Sequence, residues 1–104
     1  MAYPQGSKTL REHRAQILDI ALRHAAAKGL AAITRAEIAE EAGIATGIVN
    51  AAYGTMQQLR RAVMRAAIER EVLPVLAGGL AAMDPQALKA PQELRARALE
   101  HLTQ

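Results

Sequence analysis

The sequence predicts an all-α protein, on three observations. Apolar residues recur at three- and four-residue spacing from Leu10 to Ala25 and again from Leu59 to Ala66, the period of a helix with one buried face. No stretch of strand length alternates with period two. The only aromatic residues are Tyr3 and Tyr53, and alanine dominates the apolar half of the composition, so helices are expected to pack closely through small side chains.

A chain of 104 residues holds one domain with an appendage, not two independently stable cores. Cysteine is absent, which excludes disulfides and thiolate metal sites and suits a reducing compartment. The start MAYPQGSK lacks the apolar core of a signal peptide, and no run approaches the roughly 20 apolar residues of a membrane span. A cytoplasmic protein is therefore expected. The net charge of +3 is unevenly spread: residues 1–61 hold eight Lys/Arg against five Asp/Glu, and residues 62–104 hold five of each. The first half is thus expected to face an anionic partner.

Residues 1–8, polar and broken by Pro4 and Gly6, read as a flexible arm ending at Lys8. Thr9 with Glu12 forms a capping box, and Leu10, Ile17, Leu18, Ala21, Leu22 and Ala25 then share one face of a first helix ending at Gly29. Arg11 and Arg14 fall on the opposite side, where a phosphate contact and a merely solvated face are both open. Thr34 with Glu37 is a second capping box, opening a helix over Arg35 to Ala42 that Gly43 stops. Ile44 is placed to plug the angle between two helices, Ala39 to allow their close approach, and Val49 to anchor a third helix over Thr46 to Ala52. Gly54 closes that helix. Thr55 with Gln58 opens a longer fourth helix, with Leu59, Ala62, Val63 and Ala66 inward, that should persist to about Leu73 and end or kink at Pro74. The run Val72 to Met83 has almost no polar face and must be buried, against this chain or a second copy. Asp84-Pro85 and Pro91 are two further helix starts, for a short helix and for one over Glu93 to Leu102 with Leu94, Ala98, Leu99 and Leu102 as a stripe.

The spacing Ala39, Gly43, Val49 is that of a DNA-binding helix-turn-helix, whose second helix enters the major groove while the first crosses the backbone. Beyond spacing, the run from Ile17 to Leu59 resembles the N-terminal DNA-binding domain of the TetR family of bacterial repressors. The resemblance rests on Lys28-Gly29, Ile33-Thr34, the segment IAEEAGIATG at Ile38 to Gly47, and Tyr53. It departs from the family at Asn50, where an aromatic is usual, at Ala52, often histidine, and at Met56, often lysine. These departures are expected to weaken DNA contacts and to spare the fold.

On this reading residues 9–59 form the DNA-binding domain and residues 60–104 a helical dimerisation segment. Base contacts are expected from Thr46, which can also cap its helix, Asn50, which can bond adenine N6 and N7, and the Ala51 methyl, which can meet a thymine methyl. Gly47 and Ile48 join them because the resemblance places them near DNA; Ile48 reads equally well as half-buried core. Phosphate contacts are expected from Lys8 and Arg11, from Thr34 and Arg35 at the start of the second helix, and from Tyr53, Thr55 and Arg60, with Arg60 and Arg61 standing in for the lysine replaced by Met56. Tyr53 is also expected to pack in the core, its hydroxyl reaching backbone or phosphate.

No catalytic constellation is visible: His13, His24 and His101 occur singly, and the carboxylates around Glu40 and Glu69 read as solvated helix faces. Neither enzyme activity, nor a metal, nor a cofactor is expected. The resemblance implies that relatives carry a large helical domain with a ligand pocket and dimer interface after this part. Residues 60–104 look too few for a cavity of a few hundred Å³, so no small-molecule effector is expected. They should instead supply a homodimer interface, assigned to Val72, Leu73, Val75, Leu76, Leu80 and Met83. The reading is a dimeric transcriptional regulator, most simply a repressor on a palindromic double-stranded operator. The alternative is an interaction module whose degenerate helix-turn-helix docks on another regulator.

Overall fold

In the computed structural model, residues 8–102 are described. They form α1 (Leu10–Lys28), a 3-10 turn (Leu30–Ala32), α2 (Arg35–Ala42), α3 (Thr46–Tyr53), α4 (Met56–Glu69), α5 (Leu73–Ala81), α6 (Pro85–Leu88) and α7 (Gln92–Leu102). The protein is all-α, with no strand among the described residues. Of the expected arm 1–8, residues 1–7 lie outside the described residues, and Lys8 donates from Nζ to Gln16 Oε1 at 2.8 Å.

Two of the three expected capping boxes close completely. Thr9 N–H donates to Glu12 Oε1 at 3.0 Å while Glu12 N–H donates to Thr9 Oγ1 at 3.1 Å, and Thr55 and Gln58 repeat the exchange at 2.8 and 3.1 Å. The third is half made. Thr34 Oγ1 accepts from Glu37 N–H at 3.2 Å, but the Glu37 carboxylate takes the Thr34 hydroxyl and Lys28 Nζ rather than the Thr34 backbone. A cation at the end of α1 outcompetes the local bond and ties α1 to the start of α2. Glu41, at the other end of α2, accepts from Arg23 and from His24 Nε2 on α1. These bonds hold both carboxyls below the usual range, Lys28 being the main cause at Glu37 and Arg23 at Glu41.

α2, α4 and α5 all end in the same backbone knot, with an N–H two or three residues past the helix bonded to a carbonyl in its last turn. Ile44 N–H reaches Ala39 O at 3.0 Å, Val72 N–H reaches Ala67 O at 2.8 Å, and Asp84 N–H reaches Gly79 O at 2.8 Å. The knot needs a left-handed residue, which is Gly43 in the first case but Glu71 (φ 56) and Met83 (φ 59) in the others. This overturns the expected length of the fourth helix. α4 stops at Glu69, not near Leu73, because Glu71 turns the chain, and Pro74 then sits in the first turn of α5, where its missing N–H costs nothing.

One continuous core runs from Ile17 to Ala98, with Ile38, Val49, Val63 and Leu76 among its fully enclosed members. α1 lies at its centre, touching the 3-10 turn, α2, α3, α4 and α5, while α5 packs chiefly on α7. The expected α1 face holds at Ile17, Ala21, Leu22 and Ala25, but Leu10 is half exposed, and Ile20 and His13 are buried instead. The tail run is consumed largely within one chain. Val75 and Leu76, assigned to a dimer surface, are enclosed by this chain's own core, because the turn at Glu71 folds α5 back onto α4. Val72, Leu73 and Leu80 are half buried, and Met83 is exposed.

The paired glycines of α5 differ in kind. A Cβ on Gly79 would lie 2.4 Å from Met64 Cε and 2.9 Å from Ala87 Cβ, whereas one on Gly78 would meet nothing within 4 Å. Close approach of α4, α5 and α6 therefore requires Gly79 and does not require Gly78. In urea unfolding, Gly79→Ala should lower stability by about 1–3 kcal/mol through overpacking. Gly78→Ala should raise it by about 0.5–1 kcal/mol through helix propensity. Equal effects at the two positions would refute the packing described.

Candidate nucleic-acid interface

α2 and α3 meet at the turn that Gly43 (φ 71) makes. Ala39, Val49 and Ala52 face the core and Ile44 is half buried, so the inner side of both helices is fixed by packing. The outer side of α3 is left to solvent: Thr46, Gly47, Asn50 and Ala51 are exposed, and Ile48 is half buried. Thr46 does not cap its helix. The cap position belongs to Ala45, which makes no side-chain bond, and Thr46 is the first helical residue, its hydroxyl without a partner among the described residues.

Asn50 and Arg35, expected in separate roles, are joined: the Arg35 guanidinium at the start of α2 donates to Asn50 Oδ1 at 2.5 Å. The contact orients the amide of α3 from a neighbouring helix and leaves the amide N–H₂ of Asn50 to point elsewhere. Sequence spacing does not reveal this pair, because the two residues lie on different helices whose crossing brings them together.

Tyr53 performs a structural task. Its hydroxyl donates to the Arg14 carbonyl at 3.0 Å, so its proton is not available to a phosphate. The Arg14 guanidinium lies 4.4 Å from the ring centroid and donates to the Ala52 carbonyl, which fastens α1 to the end of α3. Burial pushes the Tyr53 hydroxyl pKa up, keeping it protonated. Ala52 is itself buried, so its departure from the family pattern is a matter of packing rather than of DNA contact.

Beside Tyr53 lies a groove of about 230 Å³ bounded by Arg14, Gln58, Arg61 and Arg65. Arg61 and Arg65 are exposed, one turn apart on α4, and have no acceptor among the described residues. Arg65 was missed in the sequence, although its position opposite the Leu59, Val63 and Ala66 stripe marks it as outward. Arg11 is likewise exposed and unpaired, and Thr34 and Thr55 present their helix starts to solvent with hydroxyls engaged in capping. Met56 is half buried as the first residue of α4. Arg60 does not join this set. It turns to a different face of α4, into a groove it shares with α5, because a 100° step separates it from Arg61.

Residues 17–63 match the family described as bacterial regulatory proteins, tetR family. No curated protein and no solved structure matches the chain. The matched segment starts inside α1 and stops inside α4, so it contains the whole α2–turn–α3 unit, and it points to DNA-binding transcriptional regulation rather than to catalysis. Residues 17–63 thus carry a helix-turn-helix that matches the N-terminal DNA-binding domain of the TetR family.

Proposed function

We propose that this chain is a dimeric repressor that inserts α3 into the major groove of a palindromic double-stranded operator and silences a promoter by occupying it. The supporting observation is the outer face of α3. Thr46, Gly47, Asn50 and Ala51 are exposed there, next to the Arg35 start of α2 and within reach of a groove lined by the unpaired cations Arg61 and Arg65. Small side chains allow close approach to base edges, and Asn50 carries the hydrogen-bonding information. Arg11, Arg61 and Arg65, with the N–H groups at Thr34 and Thr55, supply the sequence-independent attraction.

One α3 reads only a few base pairs, so two copies about one helical turn of DNA apart are needed for a tight site. With Val75 and Leu76 inside the core, the interface passes to the apolar residues left outside it. Leu99 and Leu102, one turn apart on α7, are each 49% exposed. The Arg97–Glu71 ion pair (2.7 Å) sets that part of α7 beside the turn carrying half-buried Val72 and Leu73. Leu99 and Leu102 form the proposed contact, on the flank of α7 away from Arg97. No described helix is long and apolar enough to cross a membrane, which agrees with a cytoplasmic regulator without establishing the compartment.

Asn50→Ala should cost about 1–3 kcal/mol on the selected operator and little on random duplex. Arg35→Ala should lower affinity for both duplexes, and in a double-mutant cycle the pair should show coupling of about 0.5–3 kcal/mol because the two side chains are bonded. Strict additivity in titrations on the operator would separate them. Replacing Arg61 and Arg65 by alanine should reduce the slope of log affinity against log salt by about two units without changing the preferred sequence. Association that is indifferent to salt would favour docking on another protein over DNA. Leu99→Glu with Leu102→Glu should give a helical monomer in sedimentation and remove the preference for a palindrome over its half-site. A dimer that survives both changes would place the interface elsewhere.

A further inference from the structure

The expectation that residues 60–104 are too few to form a cavity is not met, because the cavity is shared between both parts of the chain. A groove of about 540 Å³ opens between the end of α1, the 3-10 turn, α4 and α5, within the roughly 300–1,000 Å³ range of small-molecule sites. Its walls are Ala25, Leu30, Ala31, Pro74, Val75 and Gly78, with Arg60 and Asp84 as the charged groups among its lining.

Two observations within this groove have no structural explanation. Arg60 makes no hydrogen bond or ion pair among the described residues. Its guanidinium therefore has N–H donors with no internal acceptor. Gly78 is the second. It weakens an α-helix although a Cβ there would meet nothing, so its effect is to keep the groove wide. Asp84 does not answer Arg60: its carboxylate accepts from Gln86 N–H at 2.8 Å and from Ala87 N–H at 3.1 Å and caps α6.

We propose that this groove binds a small carboxylate with an apolar body, the carboxylate accepting from Arg60 and the body lying along Pro74, Val75 and Gly78. Charge complementarity selects the sign: a single cation lacks a partner, while the one acid in the lining is already bonded. A planar guanidinium favours a carboxylate over a more diffuse anion through paired N–H donors. The apolar walls require that the rest of the ligand shed water.

The test uses the full chain without DNA and three probes of one shape, octanoate, 1-octanol and octylammonium, titrated by calorimetry and by amide and methyl chemical shifts of Ala25, Ala31 and Val75. Octanoate should bind most tightly and octylammonium least. Arg60→Met, which keeps the length of the side chain, should weaken octanoate by about tenfold or more. It should leave 1-octanol within about twofold, because that probe relies on the apolar walls alone. Gly78→Leu, which fills the groove from an open position, should abolish binding of all three while the circular dichroism spectrum stays helical. Octanoate binding that is equal in Arg60→Met, tighter binding of octylammonium, binding that survives Gly78→Leu, or no saturable binding by any probe would each overturn the proposal.

Discussion

Everything in this fold is positioned by the burial of α1. Ile17, Ile20, Ala21, Leu22 and Ala25 leave no exposed surface of consequence, and α2, α3, α4 and α5 all rest on them. The face is built of short and branched side chains, which lets neighbouring backbones come near enough for polar groups at the edges to meet. Lys28 then reaches Glu37, Arg23 and His24 reach Glu41, and Arg14 reaches the end of α3. These edge contacts are exposed, so each adds little to stability by itself. Their effect is to fix the angle at which α2 and α3 leave α1, and so the attitude of the outer face of α3.

The same closeness explains the tail. α5 carries an apolar sequence on nearly all sides, a pattern that only enclosure on several sides can satisfy. Enclosure is achieved by folding back at Glu71 and again at Met83, two residues held in a left-handed conformation that glycine would adopt more cheaply. The strain is tolerated because Val75, Leu76 and Ala77 reach the core on one side and Leu94 and Ala98 cover the other. α4 consequently belongs to both parts of the chain. Its outer face carries the cations proposed to meet DNA, and the face it shows to α5 lines the groove.

The arginines illustrate how one residue type is divided by geometry. Arg14 is spent on Tyr53, Arg35 on Asn50, and Arg23, Arg70 and Arg97 on carboxylates, while Arg61 and Arg65 are left exposed and Arg60 is turned inward. A net charge counted from the sequence treats these as equal. The field that a phosphate would meet comes chiefly from those not neutralised by a carboxylate: Arg61 and Arg65 on the outer side of α4, Arg11 in the first turn of α1, and Arg14 and Arg35, whose partners are uncharged.

Helix starts and the helix-turn-helix were legible in the sequence because they rest on local chemistry: Thr9, Thr34 and Thr55 each act on an N–H group three residues away, and Gly43 acts on its own backbone. The outward face of α3 was legible at Asn50 and Ala51 for the same reason, since helical period separates them from Val49, but Ala52, counted in the sequence among positions that bear on DNA contact, is buried. The end of α4 was not, because Glu71 is an unfavourable residue for its conformation and only packing of α5 on α7 and α4 selects it. Nor was the bond from Arg35 to Asn50, the fastening of Tyr53 to Arg14, the enclosure of Val75 and Leu76, or the groove beside Arg60. Each of these joins residues distant along the chain, and their meeting is decided by the angles at which whole helices cross, a property that no local spacing encodes.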